Sequence, residues 1–281
     1  NVDFTLHSGE VHALVGENGA GKSTLIKVLT GVHAKDGGKI AMEGRPISPS
    51  SPLEAMKCGI STVYQEVNLC PNLTVAENIF IGREPKKAGR IDWKTINKRA
   101  SELLLRLNLA NIDVTKTLDS YSVAVQQMIA IARAVDIQAK VLILDEPTSS
   151  LDENETQRLF DVMRDLKKQG LGIIFVSHFL DQIYEVCDRV TVLRNGELVG
   201  EYEISMLPRV ELISKMIGKE LGDIQNMGKS IDAVSDEVLI EAEGLTAFGR
   251  IKDFDLTIHK GEVVGFAGLL GSGRTETAEL L

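Results

Sequence analysis

Short apolar runs alternate with amphipathic stretches along most of the chain. The runs "VLILD" (141–145) and "GIIFV" (172–176) have the length of buried strands, whereas "NKRASELLLRLNL" (97–109) repeats its apolar residues at helical spacing. The longest apolar runs are well short of the ~20 residues that a membrane-spanning helix needs. The pattern therefore predicts an α/β protein with buried strands and no membrane span of its own.

The order of these patterns indicates a helical insertion between strands. Residues 60–64 read as a strand, and from residue 71 to about 138 the pattern turns helical before the strand at 141–145 begins. Further along, Asn195 and Gly196 separate two strand-like segments, and this residue pair is typical of a hairpin turn.

The sequence also repeats itself. When residues 2–24 are aligned with residues 254–276, nine of the aligned pairs are identical. We therefore expect a first domain over 1–217, with its helical subdomain at about 71–138. A polar linker over 218–236 and the beginning of a second, related domain over 237–281 follow.

The strand-like segment that opens the second copy, 237–246, has no counterpart before Asn1. The first domain is therefore expected to lack its leading strand. The second copy stops shortly after its glycine-rich loop. Both features predict that the chain is a fragment of a protein about twice as long as the spacing between the two copies.

Composition narrows the class of protein. Of 281 residues, 43% are hydrophobic and 25% are charged, which is typical of a globular protein. The net charge of −9 includes no basic block, and this argues against a nucleic-acid partner. The scattered Cys58, Cys70 and Cys187 predict reduced, buried thiols in a cytoplasmic protein.

The segment "GENGAGKST" matches the phosphate-loop pattern G-x-x-x-x-G-K-[ST], between the predicted strand "EVHALV" and a predicted helix. In such a loop, backbone amides and the helix N-terminus face a phosphate, and the lysine reaches its outer oxygens. A serine hydroxyl after the lysine is suited to Mg²⁺. The predicted nucleotide-binding residues are Gly16, Glu17, Asn18, Gly19, Ala20, Gly21, Lys22, Ser23 and Thr24, with Ser23 also a metal ligand.

Two carboxylates follow an apolar strand in "VLILDEPTSSLD". At the carboxyl edge of a parallel sheet, Asp145 would hold Mg²⁺ through water, and Glu146 would polarise the water that attacks the γ-phosphate. A solvated acidic turn is the alternative interpretation.

Two further strand ends carry candidate residues. His178 is expected at the end of a buried strand, where it would hold the attacking water in line, and the other four histidines are interpreted as structural. Gln65 follows the strand at 60–64 and would contact Mg²⁺ and orient water, although a surface position is equally compatible with the local sequence.

This order of motifs resembles the ATP-binding cassette (ABC) ATPases over residues 1–217. The resemblance implies a P-loop NTPase core with a helical subdomain, and ATP and Mg²⁺ as cofactors. Gln65 takes the place of the coupling glutamine, Asp145 of the metal carboxylate and Glu146 of the catalytic base. His178 matches the switch histidine, and Asp152 matches the D-loop. The linker, the second copy and "AENIFIGREP" are similar to the tandem-cassette subunits of bacterial monosaccharide importers.

Two segments depart from the family pattern. The signature, usually Leu-Ser-Gly-Gly-Gln, aligns with "YSVAV", so that Ser122 is kept while Val123, Ala124 and Val125 replace the two glycines and the glutamine. In the second loop, formed by Gly268, Gly271, Gly273, Arg274 and Thr275, arginine replaces lysine. Because the family sandwiches ATP between one cassette's loop and the other's signature, the resemblance implies one hydrolytic site and one degenerate site.

The resemblance also implies partners and a location. They are integral-membrane permease subunits, a periplasmic sugar-binding protein acting indirectly, and the second cassette, at the cytoplasmic face of the bacterial plasma membrane. Alternatives are an importer of nucleosides or autoinducer-2, a soluble twin-cassette ATPase acting on ribosomes or DNA, and a purely regulatory nucleotide-binding module.

Overall fold

The computed structural model describes residues 2–64, 68–218, 235–247, 251–268 and 272–281. The chain divides into two compact units, 1–219 and 220–281. The division falls within the stretch predicted as a linker, most of which lies outside the described residues.

A six-stranded sheet occupies the centre of the first unit. Its strands, in spatial order, are β10 (Glu197–Glu203), β9 (Arg189–Arg194), β1 (Val11–Val15), β8 (Gly172–Val176), β7 (Val141–Asp145) and β4 (Ile60–Val63). Five strands run parallel, and β10 pairs with β9 in the antiparallel direction through the Asn195-Gly196 turn. The carboxyl ends of the parallel strands therefore meet at one edge of the sheet.

Strand β1 is more deeply buried than its sequence suggests. "EVHALV" reads as a strand with alternating polar residues, yet all five residues of β1 are buried. The reason is its position between β8 and β9, with apolar clusters on both faces of the sheet. A parallel strand covered on both faces has no solvent side.

Five helices accompany the sheet: α1 (Lys22–Leu29), α2 (Pro52–Lys57), α6 (Glu153–Lys168), α7 (Leu180–Val186) and α8 (Arg209–Ile217). Helix α6 buries Leu159, Phe160 and Met163 along one stripe. Its N-terminus is closed by a capping box, in which Asp152 and Glu155 each accept the other's backbone N–H. Asp152 thus fixes where α6 begins.

Three helices, α3 (Val75–Phe80), α4 (Trp93–Arg106) and α5 (Val123–Asp136), lie between β4 and β7 in the chain, as the helical pattern predicts. A capping box between Thr74 and Glu77 starts α3. The insertion is not wholly helical, since it also contains a short hairpin of β5 (Lys86–Lys87) and β6 (Arg90–Ile91). The residues of this hairpin are charged and exposed, so their hydrophobic pattern did not predict strands.

The remaining short elements that the structure describes in the first unit are β2 (Ile40–Met42), β3 (Arg45–Ile47) and 3₁₀ turns at Leu118–Ser120 and Ile204–Met206.

The second unit contains an antiparallel pair of strands, β11 (Val238–Ala247) and β12 (Ile251–His259), and the helix α9 (Arg274–Leu280). Strand β11 covers the segment predicted as the opening strand of the second copy.

The prediction of three buried thiols is wrong for Cys70, which is exposed, and for Cys58, which is half-buried. Only Cys187 is buried, and burial raises the pKa of its thiol well above the usual range. Within the described ranges, no helix combines the length and apolar character needed to cross a bilayer.

A buried polar network joins β1 to β9 through His12, whose side chain is fully enclosed. Its Nδ1 lies 3.0 Å from Oε1 of Glu10, and its Nε2 lies 2.7 Å from Oγ1 of Thr191. A carboxylate only accepts hydrogen bonds, so Nδ1 carries the proton and Nε2 accepts from the threonine hydroxyl. Burial lowers the pKa of His12 to about 4, against the opposing effect of Glu10. The folded protein therefore holds a neutral imidazole at neutral pH.

Acidification should weaken the first unit through His12. Unfolded His12 gains a proton near pH 6.5, whereas folded His12 gains one only near pH 4. The unfolded state binds more protons in that window, so the free energy of unfolding should fall by up to about 3 kcal/mol as the pH drops through it. Urea unfolding followed by fluorescence of Trp93, the single tryptophan, measures this change.

The matched variants are His12→Gln and His33→Gln, since His33 is exposed. The first should flatten the pH dependence between 4 and 6.5 by removing the titrating group, and the second should leave it as in wild type. Equal slopes for wild type and His12→Gln would contradict the assignment.

Candidate functional site

Most of the predicted site residues of the first unit lie at the carboxyl edge of the sheet. The glycine-rich loop follows β1, Asp145 ends β7 and His178 comes shortly after β8, and these three strands are neighbours in the order β1-β8-β7. Gln65 lies outside the described residues, as does Gly271 of the second loop.

The glycine-rich loop is shaped by a neighbouring hairpin. Gly16 has φ 151°, and a Cβ there would stand 2.2 Å from the carbonyl oxygen of Leu193 in β9. The amide of Gly196, in the turn after β9, donates to the carbonyl of Ala20 at 3.1 Å. The hairpin turn therefore supports the loop from outside, a role that its sequence had not indicated.

The loop leads directly into α1, which begins at Lys22 after Gly21 in the left-handed conformation. The ammonium group of Lys22 donates to the carbonyls of Gly16 at 2.7 Å and Glu17 at 3.1 Å. Ser23 and Thr24 are exposed in the first turn of α1. A helix N-terminus with free amides, a cation and two hydroxyls is suited to bind phosphate.

Two carboxylates stand opposite this lysine. Burial, and then the charge of Glu146, raise the pKa of Asp145, while Lys22 acts against the rise. Burial likewise lowers the pKa of Lys22, and Glu146 and Asp145 act against the fall. The charge of Lys22 therefore interacts with the charges of Asp145 and Glu146, the two carboxylates predicted at the end of β7.

Glu146 is held in an unusual backbone conformation. Its φ of 47° is left-handed, which a non-glycine residue adopts only when its surroundings enforce it. The amide of Glu146 donates to the carbonyl of Val176 in β8 at 2.9 Å. The side chain is directed by this turn rather than by the strand that precedes it.

His178 lies beyond its strand rather than at the end of it, since β8 ends at Val176. Its Nδ1 is 3.4 Å from Oε1 of Glu146, and more than half of its side chain is exposed. The Phe179 ring packs against the imidazole at 4.1 Å between centroids. The structure thus brings the predicted base and the predicted switch histidine together, with the imidazole accessible from solvent.

The donor set fits a hard divalent cation. Ser23 supplies a hydroxyl and Asp145 a carboxylate, the oxygen ligands that Mg²⁺ takes. No cluster of three or more histidine, cysteine, aspartate or glutamate side chains suited to a metal occurs in the described part of the chain.

The signature segment begins α5. Ser122 is the N-cap of α5, and its hydroxyl lies 3.3 Å from Oε1 of Glu155 in the capping box of α6. Val123 is exposed, Ala124 is buried, and Val125 packs against the main apolar cluster. Apolar side chains therefore occupy the positions where the family pattern has glycines.

The helix after the second loop begins in the same way as α1. Gly273 is left-handed and caps α9, which begins at Arg274, just as Gly21 caps α1 before Lys22. Arg274 and Thr275 are exposed, and Gly268 begins the loop. The backbone entry to the helix is the same in both copies, whereas the cation differs.

Sequence reasoning missed three polar residues near Glu146 and His178 in the chain or the fold, since the hydroxyls of Thr148 and Ser177 both donate to Oε1 of Gln182. A hydroxyl beside each catalytic candidate is visible in the sequence. The glutamine that joins them is recognisable only once α7 is placed.

Curated relatives match along the whole chain. It is 54% identical over 283 residues to the galactofuranose transporter ATP-binding protein YtfR of Escherichia coli K12, covering 56% of that protein. It is 52% identical to the fructose import ATP-binding protein FruK of Bifidobacterium longum and 47% identical to the ribose import ATP-binding protein RbsA 1 of Rubrobacter xylanophilus, covering 55% of each. The chain thus spans about half the length of the curated relatives it matches.

Solved structures agree with this picture. The ADP conformation of MJ1267, an ATP-binding cassette of an ABC transporter, matches 80% of the chain with a TM-score of 0.66, 25% identity and 90% of its own length covered. Clostridium perfringens cbiO1, part of the ABC transporter complex cbiONQ, matches 81% with a TM-score of 0.64, 27% identity and 90% coverage. A family model described as ABC transporter matches residues 1–149. On its sequence, its sheet and the arrangement of its site, the chain belongs to the ABC transporter family.

Proposed function

We propose that this chain is the ATP-hydrolysing part of an ABC importer for a monosaccharide. The observation that carries the proposal is the meeting of Lys22, Asp145, Glu146 and His178 at one edge of the sheet. Phosphate binding alone requires only Lys22, whereas hydrolysis also requires a metal ligand, a base and a group that orients water, the roles proposed for Asp145, Glu146 and His178.

Each residue has a distinct role in the proposed reaction. Lys22 and the amides at the start of α1 hold the β- and γ-phosphates of ATP, and Ser23 and Thr24 contact the phosphates and the cation. Ser23, Asp145 and Gln65 would hold Mg²⁺, which supplies charge neutralisation at the phosphates when bound. Glu146 accepts a proton from the attacking water, and His178 orients that water against the γ-phosphate.

The relatives support a substrate class, and the resemblance to ABC importers supports the partners. The proteins at 47–54% identity are named for the transport of galactofuranose, fructose and ribose. We infer a monosaccharide as the transported solute, permease subunits in the membrane as direct partners and a periplasmic sugar-binding protein as an indirect one. The protein would then lie at the cytoplasmic face of the plasma membrane.

We also propose that the full-length protein has one hydrolytic and one degenerate site. Support comes from the apolar Val123 and Ala124 in the signature and from Arg274 in the second loop. A guanidinium does not replace an ammonium in a tight phosphate loop, and added side chains keep backbone amides away from a phosphate.

Reconstitution of the full-length protein with its permease in vesicles tests the function. ATP hydrolysis should rise when a monosaccharide-loaded binding protein is added, and a panel of ribose, galactose, fructose, xylose and arabinose would identify the solute. Stimulation by ribosomes or DNA and by none of the sugars would refute the importer. Stimulation by a nucleoside or autoinducer-2 would move the solute outside the sugars.

A further inference from the structure

The side chain of Gln182 joins two loops that leave neighbouring strands. Its Oε1 accepts a hydrogen bond from the Thr148 hydroxyl at 2.6 Å and another from the Ser177 hydroxyl at 3.4 Å. Thr148 follows β7 and Ser177 follows β8, whereas Gln182 lies on the first turn of α7. One acceptor atom thus ties three segments together.

Each of the two loops carries one member of the catalytic pair, Glu146 or His178. Thr148 is two residues after Glu146, and Ser177 directly precedes His178. The backbone amide of Glu146 also donates to the carbonyl of Val176, so hydrogen bonds join these two parts of the chain at a second place. The spacing of Glu146 Oε1 and His178 Nδ1, 3.4 Å, depends on the relative position of these two loops.

The hydroxyls of Thr148 and Ser177 both use Gln182 as their hydrogen-bond acceptor. Thr148 and Ser177 are each only 3% exposed, and Gln182 is the acceptor that the structure provides for both hydroxyls. Ser177 Oγ also accepts from the amide of Phe179 at 3.0 Å, which fixes the hydroxyl rotamer beside the histidine. A buried hydroxyl without a partner is unfavourable, so the loops are expected to move to regain one.

We propose that Gln182 is a positioning residue for ATP hydrolysis. By accepting from Thr148 and Ser177 together, it holds the loops after β7 and β8 at the spacing that keeps His178 beside Glu146. The inference rests on the proposed ATPase function and adds a residue to it. Gln182 acts through the catalytic pair and does not itself contact the nucleotide.

The surroundings of Gln182 leave room for another side chain of the same length. A cavity of about 340 Å³ lies beside it, lined by Thr148, Gln182 and Gln157 among others. A methionine at 182 would keep the length of the side chain and remove the acceptor. Gln157 is exposed and its side chain makes no hydrogen bond in the described part of the chain, so Gln157→Met is the matched control.

The test measures kcat and KM for ATP in the full-length protein reconstituted with its permease. Gln182→Met should lower kcat about tenfold, because small displacements of catalytic groups are costly, while KM stays within about twofold. Gln182→Glu keeps an acceptor for both hydroxyls and should stay within about threefold of wild type. Thr148→Val removes the same hydrogen bond from the other side, and combining it with Gln182→Met should add little further loss.

Each outcome decides the proposal. A wild-type kcat for both Gln182→Met and Thr148→Val would overturn it, as would an equal loss in Gln182→Glu and Gln182→Met, or a tenfold loss in Gln157→Met. If Gln182→Met lowers the melting temperature, Thr148→Val and the rescue by glutamate carry the test. Wild-type protein that binds ATP without hydrolysing it would contradict the proposed function, whereas a hydrolysing wild type with insensitive variants contradicts only the role of Gln182.

Discussion

Glu146→Gln should lower the turnover of ATP hydrolysis by at least about a hundredfold in the full-length protein while ATP binding persists. The carboxylate accepts a proton from the attacking water, and an amide of the same shape does not. Glutamine still reaches His178, 3.4 Å away, so the variant removes the base and keeps the packing. The left-handed backbone at this position is held by Val176 and does not depend on the side chain.

Steady-state phosphate release and nucleotide titration separate the two effects. Glu153→Gln is the matched control, because Glu153 is an exposed acid at the start of α6, seven positions further along. It should hydrolyse ATP at the wild-type rate. Survival of half the activity in Glu146→Gln would mean two equivalent hydrolytic sites, and the proposed asymmetry between the two cassettes would then be wrong.

Lys22→Arg should weaken ATP binding about tenfold to a hundredfold, although it preserves the charge. The ammonium of Lys22 fits against the carbonyls of Gly16 and Glu17 within a loop that leaves no room for a Cβ at Gly16. A planar guanidinium is wider and cannot take the same position. The substitution gives the first loop the cation that Arg274 gives the second.

Titration with a fluorescent ATP analogue measures this affinity. Lys27→Arg is the control, since Lys27 lies on α1, is exposed and makes none of the loop contacts described for Lys22. It should bind ATP as wild type does. An unchanged affinity in Lys22→Arg would remove the main reason for regarding the second loop as degenerate.

Much of the site was predictable because its motifs are local. The phosphate loop, the carboxylates after an apolar strand and the histidine after the next strand each follow from a strand that ends at the sheet edge. The Asn195-Gly196 turn was likewise predicted, since it depends on adjacent residues. The hairpin at Lys86–Ile91 escaped because its exposed, charged residues have no apolar alternation.

Contacts between distant segments were not predictable. Gln182 joins Thr148, 34 residues earlier, to a serine in another loop, and Gly196 supports a loop 176 residues before it through Ala20. Burial of all five residues of β1 followed from its central place in the strand order. The exposure of Cys70 likewise depends on which residues pack around it in space, and the residues adjacent in sequence do not reveal this.

The sequence by itself determined the fold class and predicted a duplication and a set of phosphate-binding and acidic residues, because hydrophobic periodicity and backbone turns are set over a few residues. The tertiary structure alone decided how these groups interact. It placed β1, β8 and β7 side by side, and so brought Lys22, Glu146 and His178 to one edge. Desolvation and Coulomb interactions depend on distance in space, and chain folding sets that distance independently of spacing in sequence.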